Sequence, residues 1–182
     1  MTCIVGIEHE GAVYLGGDSA VIYSETLSIN TRIEEKVFYA YEGRMAMGFC
    51  GSFRVGQLLR HALVVPERNG PATSDMTFIV TDFIDAIRNL HSEKGLITTD
   101  TDSSLYDTDL LVGYNGRLYV VESDHQVGRP ADGYAAIGCG ADVALGALYA
   151  TRCTGMGPQQ RIMLALSASE KYCAGVRSPF NI

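Results

Sequence analysis

The sequence predicts an α+β protein with two antiparallel sheets between layers of helices. Two observations carry this reading. Strand-like and helix-like segments come in separate blocks, ordered strands, two helices, strands, two helices, rather than alternating as βαβ units do. The strand-like runs also come in pairs joined by tight polar turns, the usual connection between antiparallel neighbours. A chain of 182 residues, 47% hydrophobic and 19% charged, can bury the core of one domain spanning 1–182.

The first block opens with a β-rich run from Cys3 to Glu8 and another from Gly11 to Gly17, joined at His9-Glu10-Gly11. Asp18 to Glu35 is polar and rich in Ser and Thr, which predicts a loop or an irregular edge. Lys36 to Tyr41 and Arg44 to Phe49 pair around Glu42-Gly43. Helical spacing follows. Ser52 can cap a helix carrying Val55, Leu58, Leu59 and Leu63, which ends before Pro66. Ser74 can cap a second helix with Phe78, Ile79, Phe83, Ile87 and Leu90 as its stripe.

The polar stretch from Ser92 to Asp107 predicts a surface loop. Leu110 to Tyr114 and Leu118 to Glu122 bracket Asn115-Gly116, a dipeptide that tolerates the positive φ angles of a two-residue hairpin turn. Tyr134 to Ile137 is a short strand. Asp142 to Thr151 and Gln159 to Tyr172 are the last helices, separated by Gly155 to Pro158.

Composition removes several function classes. The net charge is −7 with Lys and Arg scattered, so a phosphate backbone would be repelled and no nucleic-acid partner is expected. No apolar run approaches the roughly 20 residues of a spanning helix, so no membrane role is expected. The N-terminus has no basic segment followed by an apolar stretch, which predicts a cytoplasmic protein. Five cysteines form an odd set without a CxxC, and the four histidines are isolated. Neither a metal site nor another cofactor is expected.

Thr2 follows the initiator methionine. Removal of Met1 would leave a threonine with a free α-amine, whose pKa near 8 suits it to take a proton at neutral pH. One residue would then hold both nucleophile and base.

The stretch TCIVGIEHEGAVYLGGDSA resembles the opening of proteasome β subunits and HslV-type peptidases, members of the N-terminal-nucleophile (Ntn) hydrolases. KVFYAYEGRMAMGFCGS resembles the family segment that runs from a Lys-Val to an Ala-Gly before the first helix, and IGCGADVALGAL the later Gly-Ser-Gly turn. The resemblance implies a four-layer sandwich and a threonine endopeptidase. It casts Thr2 as nucleophile, Lys36 as the positive charge that activates it and Asp18 as the partner of Lys36. Gly51 would be the oxyanion donor, and Cys139 stands where the family has Ser. It also implies a specificity pocket formed by Phe49 and Phe53 with Val21 nearby. Peptides or unfolded chains would be the substrates of a homo-oligomeric ring, with apolar surface of the helices after Ser52 and Ser74 buried between subunits. An ATPase unfoldase is a further partner that the resemblance allows.

The family pattern is altered in places. Its Asp-x-x-Ser-Gly appears as Lys171-Tyr172-Cys173-Ala174-Gly175, with Glu170 available as a substitute if the register slips by one. Ala20 replaces an Arg, and the segment between Asp18 and Lys36 is longer by about two residues than the family pattern. Two alternatives therefore stand beside the peptidase: a non-catalytic ring or scaffold subunit, and an Ntn amidohydrolase acting on a small amide.

Overall fold

The computed structural model describes residues 1–23, 28–68, 70, 73–96 and 108–182. Its strands are β1 (Ile4–His9), β2 (Ala12–Gly17), β3 (Ala20–Tyr23), β4 (Ser28–Thr31), β5 (Val37–Ala40) and β6 (Met45–Gly51). Next comes α1 (Phe53–His61), then α2 (Asp75–Phe78), which runs through a π-type turn (Ile79–Phe83) into α3 (Ile84–Glu93). The second half holds β7 (Thr108–Tyr114), β8 (Arg117–Val121), β9 (Val127–Gly128), β10 (Tyr134–Ile137), α4 (Ala141–Ala150) and α5 (Pro158–Tyr172).

One antiparallel sheet has the order β10-β1-β2 and the other β5-β6-β7-β8-β9, with β3-β4 as a separate ribbon. Alternation along the strands builds the layers. Cys3, Val5 and Ile7 point from the first sheet into Ala144 and Leu148 of α4 and Ile162, Ala165 and Leu166 of α5. The intervening Ile4 points the other way, into a layer with Leu111 and Leu118 of the second sheet. On the far face of that sheet, Met45, Met47, Phe49, Leu110 and Val112 meet the helices α1 to α3. The two sheets therefore lie face to face between two helical layers.

Small residues let the sheets approach. A methyl group at Gly48 would lie 2.6 Å from Ile4 Cγ2, and one at Gly113 would lie 2.8 Å from Val13 Cγ1. Both glycines give their space to a branched side chain of the facing sheet, which keeps the inner layer close-packed.

Local signals account for most boundaries. The Ser52 hydroxyl accepts from the Val55 amide at 3.4 Å, and that of Ser74 from the Thr77 amide at 3.0 Å. Asn115 and Gly116 turn the β7–β8 hairpin at φ 47° and 71°, and Glu10 and Gly11 turn β1 into β2 at 48° and 76°.

Three expectations are corrected or bounded. The region from Asp18 to Glu35, expected as a loop or an irregular edge, holds the two-stranded β3–β4 ribbon. All four residues of β4 are exposed, so no apolar alternation announces it. Phe78, Ile79, Phe83, Ile87 and Leu90 are buried within the chain's own core. The second sheet already covers this stripe, leaving, among the described residues, Val64, Met76 and Val80 as the large apolar side chains exposed near these helices. Ser92 and Glu93 complete α3, while most of the loop expected up to Asp107 lies outside the described residues. No described helix is long and apolar enough to cross a membrane.

Candidate active site

The register of β1 with β2 pairs Ile4 with Gly17, which sets Asp18 beside Cys3, the residue after Thr2. Asp18 donates its own amide to the Cys3 carbonyl at 3.2 Å. Its carboxylate is surrounded by donors: Oδ1 accepts from the Cys3 amide at 2.9 Å and Lys36 Nζ at 2.8 Å, and Oδ2 from the amides of Ala20 at 2.9 Å and Arg177 at 3.3 Å. Asp18 and Lys36 are each 1% exposed. One carboxylate thus joins the residue before β1 to a buried ammonium.

Lys36 stands just before β5, and its carbonyl accepts from the Phe49 amide at 3.1 Å. Its ammonium also lies 5.8 Å from the centre of the Phe53 ring. Burial pulls the Lys36 pKa below the ordinary lysine value, and the Asp18 charge and hydrogen bond work against that fall.

Thr2 is itself buried. Its nitrogen donates to Cys139 Sγ at 3.3 Å and its hydroxyl to the Met1 carbonyl at 2.6 Å. The Thr2 carbonyl accepts from the Gly140 amide at 3.3 Å and the Cys139 thiol at 3.4 Å. Cys139 is therefore a two-way partner of the Thr2 backbone. It occupies the Gly138-Cys139-Gly140 turn that carries β10 into α4. While Met1 is attached, the Thr2 nitrogen is an amide and cannot act as a base.

Gly51 ends β6 opposite Thr108, exposed and with a φ of 116° that favours glycine. Val21 is buried on β3. Phe49 belongs to the core cluster under α1, and its ring meets that of Phe53 edge-on at 5.7 Å. The Arg32 guanidinium lies 4.9 Å from the other ring, that of Phe53. The structure thus brings Asp18, Lys36 and the β1 start together, with Phe53 at the Lys36 ammonium and Cys139 at Thr2.

Cys3 and Cys50 are further potential nucleophiles near this strand, and their environment disfavours ionisation. Burial pushes Cys3 up to about 12, with Asp18 adding to the rise. Burial likewise pushes Cys50 up to about 12, helped by Asp109. Both remain protonated at neutral pH, and a protonated thiol is a poor nucleophile.

Some partners had no signal in the sequence. The Arg177 amide reaches Asp18 because the C-terminal segment returns to the sheet, where Gly17 and Asn181 exchange hydrogen bonds at 2.8 and 3.0 Å. A backbone donor bears no side-chain signature. Cys173, 34 residues from Cys139, brings its sulfur to 3.5 Å from Cys139 Sγ. The suggested substitution by Glu170 is not seen: Glu170 accepts from the Ser178 amide at 2.9 Å and hydroxyl at 3.0 Å. Ala20 still serves Asp18, through its amide alone.

No family model matches the sequence. Solved structures match nearly its full length. BPH of Thiobacillus denitrificans superposes with a TM-score of 0.79 at 16% identity, over 98% of this chain and 95% of that one; the same protein in complex with epoxomicin gives 0.77 at 17%, again over 98% and 95%. HslV of Trypanosoma brucei gives 0.68 at 19% identity over 98% and 96%. The fold is that of the proteasome-like Ntn hydrolases, an α+β sandwich.

Proposed function

We propose that this chain is the threonine-type peptidase subunit of a self-compartmentalising ring, active once Met1 has been removed. The observation that carries this reading is the Asp18 carboxylate, which binds the Lys36 ammonium and the Cys3 amide through one buried oxygen. A buried cation fixed at the base of the nucleophile strand favours loss of the hydroxyl proton and a neutral α-amine. The neighbours' names agree with it: one is HslV, the type that the opening of the sequence resembles, and BPH was solved in complex with epoxomicin.

In this mechanism the Thr2 α-amine takes the proton of the Thr2 hydroxyl, whose oxygen attacks a peptide carbonyl carbon. The carbonyl oxygen becomes an oxyanion, with the Gly51 amide as its donor. The proton passes to the leaving amine as the C–N bond breaks, leaving an ester on Thr2. Water then attacks that ester, frees the acid and returns the hydroxyl. Cys139 holds the Thr2 nitrogen and carbonyl, and Val21, Phe49 and Phe53 line the side-chain pocket. Peptides or unfolded chains are the substrates, a ring of identical subunits is the working form, and an ATPase unfoldase is a compatible partner.

A specific observation favours a second reading, a non-catalytic scaffold subunit. Lys171 and Ala174, which stand where the resemblance puts an acidic and a hydroxyl side chain, are both exposed, and Glu170 is engaged with Ser178. Peptide hydrolysis by protein whose intact mass confirms loss of Met1 separates the two. Activity that disappears in Thr2→Ala supports the peptidase; silence of correctly processed wild type on varied peptides and unfolded chains supports the scaffold.

A further inference from the structure

Cys139 and Cys173 are the one pair of thiols in contact among the described residues. Their sulfurs are 3.5 Å apart, and Cys173 Sγ also lies 3.4 Å from the Cys139 carbonyl oxygen. Cys139 is exposed and Cys173 partly so, whereas Cys3 and Cys50 are buried. Cys139 sits between two glycines in a turn, and Cys173 is the first residue beyond α5. Neither is locked into regular structure on both sides. A disulfide bond is about 2.05 Å long, so closure asks the sulfurs to approach by about 1.5 Å. Gly175 lets the Cys139 sulfur and Met1 pack against its backbone, since a methyl group there would lie 2.6 Å from both Cys139 Sγ and Met1 Cβ.

We propose that Cys139 and Cys173 form a reversible disulfide that draws the Cys139 sulfur away from Thr2 and switches the site off, the oxidant being a small-molecule disulfide of the glutathione type. The switching rests on Thr2 being the nucleophile; formation of the bond does not. One protein thiolate attacks the reagent disulfide, forming a mixed disulfide and releasing one small thiolate. The second protein thiolate attacks the protein sulfur of that mixed disulfide and releases the other. Two protein S–H groups are oxidised, one reagent S–S bond is reduced, and both protons end on the released thiols. The oxidised pair has no S–H, so the bond that Cys139 donates to the Thr2 carbonyl is lost. The acceptor for the Thr2 nitrogen moves in the same step. Desolvation pushes the Cys139 thiol up, the Thr2 amide pulls it back and Cys173 adds to the rise. Exchange should therefore accelerate with pH as thiolate forms.

The test treats folded, Met1-free wild type with oxidised glutathione, followed by intact mass, a non-reducing peptide map and peptide hydrolysis. The expected result is loss of two hydrogens in mass and a Cys139–Cys173 cross-link. Hydrolysis should fall at least about tenfold and return on reduction. In Cys173→Ser, glutathione should remain attached to Cys139, because no second thiol displaces it. The proposal is overturned if exposed Cys153 is modified while no Cys139–Cys173 link forms. It is overturned as a switch if the link forms and the rate does not change. If reduced, Met1-free wild type hydrolyses nothing, the peptidase reading and the switch fall together, while the peptide map still decides the bond.

Discussion

Gly138 lies against the carbonyl oxygen of Thr2 with no room between them for a side-chain carbon, and it holds a φ of 92° that suits glycine. The turn before α4 and the segment that leads into β1 are thus fitted backbone to backbone. Gly138→Ala should cost about 2 kcal/mol of stability through overlap and backbone strain. It should also lower hydrolysis under conditions where the variant is still folded. Urea denaturation and peptide assays read the two effects, and unchanged activity at full folding would show that Thr2 tolerates displacement.

The buried ion pair predicts an unequal pair of variants. Lys36→Ala leaves the Asp18 carboxylate with the amides of Cys3, Ala20 and Arg177. Asp18→Asn strips Lys36 of its counter-ion and turns an amide donor toward the same donors. Breaking a buried pair costs about 3–5 kcal/mol, and Asp18→Asn should fall at the upper end and Lys36→Ala at the lower. Both should abolish hydrolysis. Equal losses in urea melts would mean that the amides give the carboxylate no support.

Thr2→Ala should keep the fold and lose peptide hydrolysis by at least about a thousandfold, as removal of a nucleophile does. Cys139→Ser keeps an acceptor for the Thr2 nitrogen and a donor for its carbonyl, so its rate should equal or exceed that of wild type. A rate far below wild type would show that the sulfur contributes more than hydrogen bonding.

Acid should weaken the fold through His91. Burial, with a smaller push from His125, lowers its pKa to about 4. The unfolded chain takes up this proton below the ordinary 6.5 and the folded chain does not, so stability falls as pH drops from 6.5 toward 4 and levels off below. At pH 5 the loss is about 2 kcal/mol for this 2%-exposed residue. His91→Gln should flatten that part of the stability curve; an unchanged slope would assign the acid sensitivity to other groups.

The Phe49 ring rests on Gly56, where a methyl group would overlap it. Gly56→Ala should cost about 1–3 kcal/mol by overpacking, and Phe49→Leu should relieve part of that cost in the double variant. If Phe49 also bounds the side-chain pocket, Phe49→Leu should shift cleavage toward larger residues before the scissile bond. An additive cycle with an unchanged cleavage profile would place the ring in the core alone.

Turns and caps were the legible parts of this fold because their chemistry is local. Asn115-Gly116, Ser52 and Ser74 each act within a few residues of themselves, and each marks a boundary in the structure. The β4 strand was not legible because it buries none of its side chains, and β9 because two residues show no period. At the site, Asp18 and Lys36 could be nominated only by resemblance, since 18 residues and two strands separate them. The Cys139–Cys173 contact depends on how α5 ends against the β10–α4 turn. The Arg177 amide depends on the return of the C-terminal segment. Both are tertiary facts that no window of sequence contains.

Asp18 pins the chain at Cys3, one position beyond the proposed nucleophile, while Met1 is 60% exposed. Under the proposed function the first residue is a detachable tab. Cutting it away would convert one amide to an amine and release the Thr2 hydroxyl from the Met1 carbonyl, while the strand beyond Cys3 keeps its anchor. On the proposed reading, architecture and ignition would be separated in time: the sheet would set first, and a single cleavage outside the anchored strand would arm the chemistry afterwards.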